Sequence, residues 1–352
     1  MASSSIHSTA CMLVFPLPEG EGSRLEEDRM RMTWITGALL TLLAPAGVLA
    51  ATADYPNRPV RLVVPYPPGG GNDTLARLFG HKLTERWNQQ LVIDNRPGAG
   101  TTIGAQLVAR AAADGYTLLL SSIATHALAP ALYSKPGYDP IKDFTPITTL
   151  AVAPTLCVAA PSFPPKTIKE LIAAAKAKPE DIRFASGGNG TTPHIAGEVF
   201  KSVTGVQMTH VPYKGGGPAH IDLMAGRVQV MFDTAASASP HVRAGKMRAL
   251  AIGLPKRYPD LPDVPTFAES GLPQYNVDSW YSLHAPAGTP AAVVTKIQRD
   301  IVAVLATADI RERLRQLVST PGGIAPDAFG AYVKEEFARY GKIIRATGTR
   351  ID

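Results

Sequence analysis

The sequence predicts an α/β protein of two lobes, each a mainly parallel sheet flanked by helices, with a cleft between them and two segments that cross from lobe to lobe. Three observations carry that reading. Short apolar strands alternate with helical patterns along most of the 352 residues, which is how parallel sheets covered on both faces are encoded. A unit of strand, glycine loop and helix occurs twice, at 60–83 and again at 182–203. Two apolar stretches, 147–158 and 277–285, are long enough to pass between lobes. The chain also exceeds the usual single domain of about 100 to 200 residues. The expected divisions are 1–53 for a start extension and secretory signal, 54–156 for the first part of lobe 1, 157–280 for lobe 2 and 281–352 for the return to lobe 1.

The first unit reads VRLVVPYPPGGGNDTLARLFGHKL. Val60, Leu62, Val63 and Val64 form a β-rich run, residues 65–71 a Pro and Gly turn, and Leu75, Leu78, Phe79 and Leu83 recur at helical spacing. Asn72 or Asp73 is placed to cap the helix, and glycines let the backbone come close to a ligand. The N–H groups of a first helical turn have no partners inside the helix, so such a place binds anions without a side-chain cation. A strand at 91–94, the segment NRPGAGTT at 95–102, an alanine-rich helix at 103–113 and a buried strand at 118–120 ending in Ser121 and Ser122 follow. Ligands of such sheets sit beyond the carboxyl ends of the strands, where the Gly69 and Ser121 loops lie.

After a proline-bearing passage at 136–146 and the first crossing, Thr167 and Glu170 make a capping box that opens a helix to Lys178. The second unit, IRFASGGNGTTPHIAGEVFKSV, repeats the first in layout: strand 182–185, glycine loop 186–190, Thr192 as cap, Pro193 at the first helical position, and Ile195, Val199 and Val203 on one face. Two such cradles facing each other form a pincer for an anion. Strands are expected at 208–212, 228–232 and 247–252, with helices opened near Pro218 and around Pro240. Beyond the second crossing, helices at 291–306, 310–317 and 327–345 carry surface Lys, Arg and Glu.

The amino terminus stands apart. From Met30 a short basic region, an apolar core at 34–43 and small residues at 44–53 have the order of a secretory signal, cleaved after Ala50 or Ala53. Residues 1–29 fit neither a signal nor a fold, and Met30 or Met32 is the expected start. The apolar core is short for a membrane anchor. Removing residues 1–53 takes away three arginines and five acids, which moves the net charge from +6 to +8. That excess is scattered, with no basic run and no aromatic interleaving, so nucleic acid is not an expected partner, whereas anionic ligands are favoured. Cys11 precedes the signal, which leaves Cys157 as a packing residue with no disulfide partner.

Other chemistries fit poorly. The PPGGGND loop lacks both the Lys-Ser/Thr of a P-loop and the G-x-G-x-x-G order. Ser186, His194 and Asp233 could be imagined as a hydrolase triad, but Ser186 stands in Ala-Ser-Gly-Gly and not in G-x-S-x-G. The eight histidines include no metal-binding pair and there is no cysteine cluster, so neither metal nor cofactor is called for. Tyr66, beside the first loop, leans toward the cleft, Trp280 toward the core, and Tyr213 fits either. His194 falls in a first helical turn, in contact with ligand or loop backbone or in solvent. Asp233 falls just after a strand, at the edge where ligands bind, as an acceptor for a ligand amine or a cap for the next helix.

Five motifs in order, YPNRP (55–59), VPYPPGGGND (64–73), NRPGAG (95–100), ASGGNG (185–190) with His194, and HVPYKG (210–215), resemble the Bug (TctC-like) family, the extracytoplasmic solute receptors of tripartite tricarboxylate transporters. The resemblance runs from Asp54 to the carboxyl terminus. It implies a periplasmic two-lobe binding protein of the Venus-flytrap type, a monomer without catalysis, that hands a small carboxylated solute to membrane transporter subunits. In such receptors two glycine loops grip a carboxylate between the lobes. Carried over by position, the first cradle is Pro68, Gly69, Gly70, Gly71, Asn72 and Asp73, and the second is Ser186, Gly187, Gly188, Asn189, Gly190 and Thr191. Tyr66, Ser122, His194 and Asp233 are further pocket members. An exported hydrolase using the same cleft, and a sensing receptor without its own transporter, are the alternatives.

Overall fold

In the computed structural model, which describes residues 55–275 and 277–347, the expected alternation becomes two joined sheets. The signal segment, its cleavage site and the extension at 1–29 lie outside the described residues. Strand β1 (Val60–Val64) enters helix α1 (Gly71–Trp87), which buries Leu75, Phe79 and Leu83 at helical spacing against the sheet. Strand β2 (Leu91–Asn95), helix α2 (Thr102–Ala109) and strand β3 (Thr117–Ser122) follow. Helix α2 ends four residues short of the expectation at Ala113, and Ser121 and Ser122 lie within β3, fully buried. β1 pairs in parallel with both β2 and β3.

A π-helical turn (Ala124–Leu128) and a short helix α3 (Ala129–Leu132) lead to the first crossing, strand β4 (Phe144–Ala159), which is nearly continuous in its burial. Helix α4 (Ile168–Ala177) opens as the capping box requires: Glu170 N–H donates to Thr167 Oγ1 at 3.1 Å. The Glu170 carboxylate reaches back one residue further than expected, to Lys166 N–H at 2.7 Å. Then come strand β5 (Arg183–Ser186), helix α5 (Thr192–Thr204), strand β6 (Thr209–Pro212), helix α6 (Gly216–Met224), strand β7 (Val230–Thr234), helix α7 (Ala235–Arg243) and strand β8 (Arg248–Ile252). Pro240, expected near a helix start, lies inside the last turns of α7.

Strand β9 (Asp278–Pro286) is the second crossing, and helices α8 (Ala291–Leu305) and α9 (Ala308–Gln316), strand β10 (Thr320–Pro321) and helix α10 (Pro326–Thr347) finish the chain. The strand order is β2-β1-β3-β9-β4-β7-β5-β6, with β8 and β10 also on β4. Within each lobe the pairing is parallel, β1 with β2 and β3, β5 with β6 and β7. The crossings run the other way, β9 antiparallel to β3 and β4, and β4 antiparallel to β7 and β8. β4 exchanges partners midway: it pairs with β9 up to Pro154, opposite Asp278, and with β7 from Thr155.

The return is fastened by buried chemistry. Asp300 on α8 is 2% exposed and accepts from Arg86 Nε (2.8 Å), Trp87 Nε1 (2.8 Å) and Lys296 Nζ (2.7 Å), which ties α8 to the end of α1. Burial alone would raise its carboxyl, but these three donors outweigh it and hold the group below the ordinary carboxylate range. Helix α10 packs differently. Phe329, Val333 and Tyr340 share one cluster with Ile195 and Phe200 of α5 and with the crossing residue Trp280, which is core as expected.

His126, His194 and His284 are buried and His210 is half-buried, all four as neutral rings. His194 stacks on His210 at 4.1 Å between centroids, and His210 on Phe184 at 4.9 Å. His126 stacks on His284 at 3.9 Å, with Nδ1 bonded to the Pro140 carbonyl at 2.9 Å. Burial lowers His126 and His194 to about 4 and His210 to about 3, with the Lys201 charge adding to the effect on His194 and His210, and it holds His284 well below its ordinary value.

Two outcomes are expected. Asp300→Ala strands the Trp87 N–H, while Arg86 and Lys296 can still reach water, so urea unfolding shows a loss of about 2 kcal/mol and not the ~5 of a fully buried broken pair. The folded histidines hold their protons more weakly than the unfolded chain, whose histidines titrate near 6.5. Stability is therefore complete above about pH 6.5 and falls as pH drops toward 4, by about 1.4 kcal/mol per pH unit for each histidine. Urea midpoints that stay level between pH 7.5 and pH 4.5 would contradict this, and His210→Gln makes the slope shallower.

Candidate functional site

The two glycine units meet. Gly215 has φ +110° and any Cβ there would lie 2.6 Å from Pro67 Cγ, so the HVPYKG motif of one lobe presses on the PPGGG loop of the other and only glycine fits. Gly71 is also hemmed in, less severely: a Cβ would stand 3.0 Å from Tyr281 Oη, 3.3 Å from Thr234 Oγ1 and 3.7 Å from Ser237 Cβ. Between these contacts lies a cavity of about 60 Å³.

Its walls explain its chemistry. The N-cap residues of four helices, Gly70 of α1, Thr191 of α5, Gly215 of α6 and Thr234 of α7, all line it, and none of the four makes a side-chain cap hydrogen bond. The expected caps are displaced by one to three residues: Asn72 and Asp73 fall inside the first turn of α1, and Thr192 is the first residue of α5 with Pro193 the second. The first bonds within α1 and α5 are Thr74 N–H to Gly70 O and Ile195 N–H to Thr191 O, so the first-turn amides before them have no helical partner. Each N-terminus carries roughly half a positive charge. The buried Asn72 Oδ1 also has no hydrogen-bond partner among the described residues, and Asn72 lines the cavity, leaving a polar group available to a ligand.

The cavity opens into a wider one of about 520 Å³, which shares Tyr66, Pro67, Gly187, Thr191 and Gly215 with it. Of the residues expected at the site, Tyr66, Gly70, Gly71, Asn72, Gly187, Thr191 and Asp233 line the inner cavity, and Gly188 and Asn189 the outer one. Tyr213, left between cleft and core, lines the outer cavity.

The remaining seven are not brought to the cavity walls. Pro68 and Gly69 are on the exposed outside of the first loop. Asp73 points back instead: it accepts from Gly69 N (3.0 Å), Asn95 Nδ2 (3.0 Å) and Arg77 Nε (2.9 Å). Burial works to raise its carboxyl, but these donors hold it below the ordinary range. Ser122 holds the Tyr66 hydroxyl at 2.6 Å. Ser186 is fully buried, accepts from Gly188 N at 3.1 Å and sits 2.7 Å from His210 Nε2. His194 accepts from the buried Gly190 through Nδ1 at 3.2 Å, so it holds the second loop from beneath and is not a solvated helix residue.

No triad forms from Ser186, His194 and Asp233, because each has a different partner. Asp233 is the penultimate residue of β7 and not one that follows the strand. It is 4% exposed, and His220 Nε2 stands 2.7 Å from its Oδ2 while Thr234 N–H donates to Oδ1 at 2.7 Å. Its expected role as a cap is not taken up. Sequence reasoning missed the starts of α6 and α7 as walls. GGG at 215–217 was a visible signal, but only the pairing of β6 and β7 on either side of β5 brings both helices to the cleft. Among the described residues no group of His, Cys, Asp or Glu is placed to hold a metal ion, and no helix is long and apolar enough to cross a membrane.

The TctC profile, described as the tripartite tricarboxylate transporter family receptor, matches residues 75–349. The chain is 35% identical over 326 residues to Protein BugT of Bordetella pertussis, covering 92% of this chain and 100% of BugT. It is similar to the solved structure of R. palustris Rpa4515 with adipate, at a TM-score of 0.81 and 38% identity over 84% of this chain and 99% of that one. MatC from Rhodopseudomonas palustris with bound malate gives a TM-score of 0.78 and 36% identity over 82% of this chain and 100% of MatC. Two lobes, two crossings and facing glycine loops thus come with a matching profile over most of the chain: it belongs to the TctC family of tripartite tricarboxylate transporter receptors, which are periplasmic solute-binding proteins.

Proposed function

We propose that this chain is a periplasmic receptor that captures a small carboxylated solute in the inter-lobe cleft and delivers it to the membrane subunits of a tripartite tricarboxylate-type transporter. The observation that carries the reading is the meeting of four uncapped helix starts at one small cavity. Backbone donors aimed at one point suit an anion, and they strengthen as the closing lobes exclude water. Adipate with Rpa4515 and malate with MatC are acids of the matching kind.

In this reading Gly70, Gly71, Asn72, Gly187 and Thr191 hold the carboxylate, with Tyr66 and Asp233 beside it. Asp73, Ser122, Ser186 and His194 keep the loops in place. The receptor acts as a monomer and performs no reaction. It is exported by the segment before Asp54, and its lobes divide at 54–156, 157–280 and 281–352. The exchange of partners in β4 at Pro154 and Thr155, opposite the start of β9 at Asp278, supports those limits to within a few residues.

Thermal melting with a panel of mono-, di- and tricarboxylates is the test. At one hundred times its Kd a ligand adds about 2.7 kcal/mol, a rise of roughly 4 °C in a chain of about 300 residues. Curves unmoved by that panel and by acidic amino acids would sink the proposal. Gly71→Ala places a methyl group against Tyr281, Thr234 and Ser237, and the expected outcome is a folded variant whose ligand-dependent rise is lost or strongly reduced.

A further inference from the structure

The inner cavity takes a carboxylate and the carbons next to it, and little more, at about 60 Å³. Anything longer must continue past Tyr66, Pro67 and Gly215 into the cavity of about 520 Å³. The lining of that outer space is unlike the inner one. Pro65, Pro97, Ala99 and Tyr133 give it apolar faces, which suit an alkyl body. Among the described residues its only charged lining residue is Lys214, which joins no salt bridge there. Among the described residues the only charged one lining the inner cavity is the acid Asp233, already engaged by His220.

The two spaces are linked through one peptide. Lys214 immediately precedes Gly215, the N-cap of α6, and Gly215 lines both cavities. Lys214 is exposed, so its long side chain is free to turn toward the mouth. In the same lining, the run Gly98–Thr101 is wound through positive φ at all four residues, 131°, 44°, 59° and 87°. For a β-branched residue such as Thr101 that conformation is strained, and its buried hydroxyl has no partner among the described residues. Strain of this kind persists where surrounding structure enforces it, and it collects at ligand clamps.

We infer that Lys214 reads the second carboxylate of an elongated dicarboxylate whose first carboxylate is held in the inner cavity. The inference rests on the carboxylate-receptor reading above and narrows it: the solute has two acidic ends separated by an alkyl stretch too long for the inner cavity. A monocarboxylate of the same length uses the amides and the apolar walls but gains nothing from Lys214.

Calorimetric titration of the mature chain with succinate, adipate and hexanoate tests this, using wild type, Lys214→Met and Lys214→Arg. Wild type is expected to bind adipate more tightly than succinate or hexanoate, and added salt weakens adipate the most. Lys214→Met loses about tenfold for adipate, the effect of one charge-assisted hydrogen bond, and changes hexanoate by less than about twofold. Lys214→Arg retains the adipate preference. Equal losses for adipate and hexanoate in Lys214→Met, or no loss for either, overturn the role of Lys214 while leaving a carboxylate receptor standing. A wild-type chain that binds none of the three acids, nor any of the carboxylate panel, overturns both.

Discussion

Helix starts, whose first-turn N–H groups have no partner within their own helix, gathered from both lobes around one small cavity, are the constraint to which the rest of this molecule answers. An amide that is to serve a ligand cannot be satisfied by its own chain, so the N-cap residues here are Gly70, Thr191, Gly215 and Thr234, without side-chain cap bonds. Helix α4, away from the cleft, shows the contrast, because there Thr167 closes the helix end itself. Leaving donors open is unfavourable unless something else fixes the loops that carry them.

That fixing is done by side chains one layer back. Asp73 joins Gly69, Asn95 and Arg77 in one hydrogen-bonded knot, so the end of β2 steadies the first loop. In the other lobe, Ser186 and His194 hold Gly188 and Gly190, and His210 backs both by its bond to Ser186 and its stacking on His194. Neutral imidazoles suit that position: His194 accepts from the Gly190 amide and His210 bonds the Ser186 hydroxyl, and neither adds a charge that would need its own counter-ion.

Much of this was legible in the residues, for reasons that can be named. Apolar spacing located β1, α1, the two crossings and the three long tail helices, because long periodic segments report their own burial. Helix limits slipped by one to four residues at Asn72, Thr192 and Ala113, where capping residues compete and local propensity decides little. The family motifs named the right loops but did not separate residues that face the ligand from those that brace the loop. Asp73 and Asn72 are neighbours in sequence, yet one turns inward to Arg77 and the other lines the cavity. Likewise His210 and not His194 stands against Ser186, and Asp233 finds His220. Those pairings depend on strand neighbours distant in the chain, which spacing along one sequence does not encode.

The exchange of partners within β4 has a mechanical outcome. Pro154 faces Asp278 at the last pair of the β4–β9 ladder, and the next residue already belongs to the other sheet. The lobes are therefore connected by a rung of stiff ribbon, and any rotation that parts them must flex it at that rung. A hydrogen-bonded ladder bends across its plane more easily than it shears, so a joint of this kind holds the lateral register in which Pro67 meets Gly215.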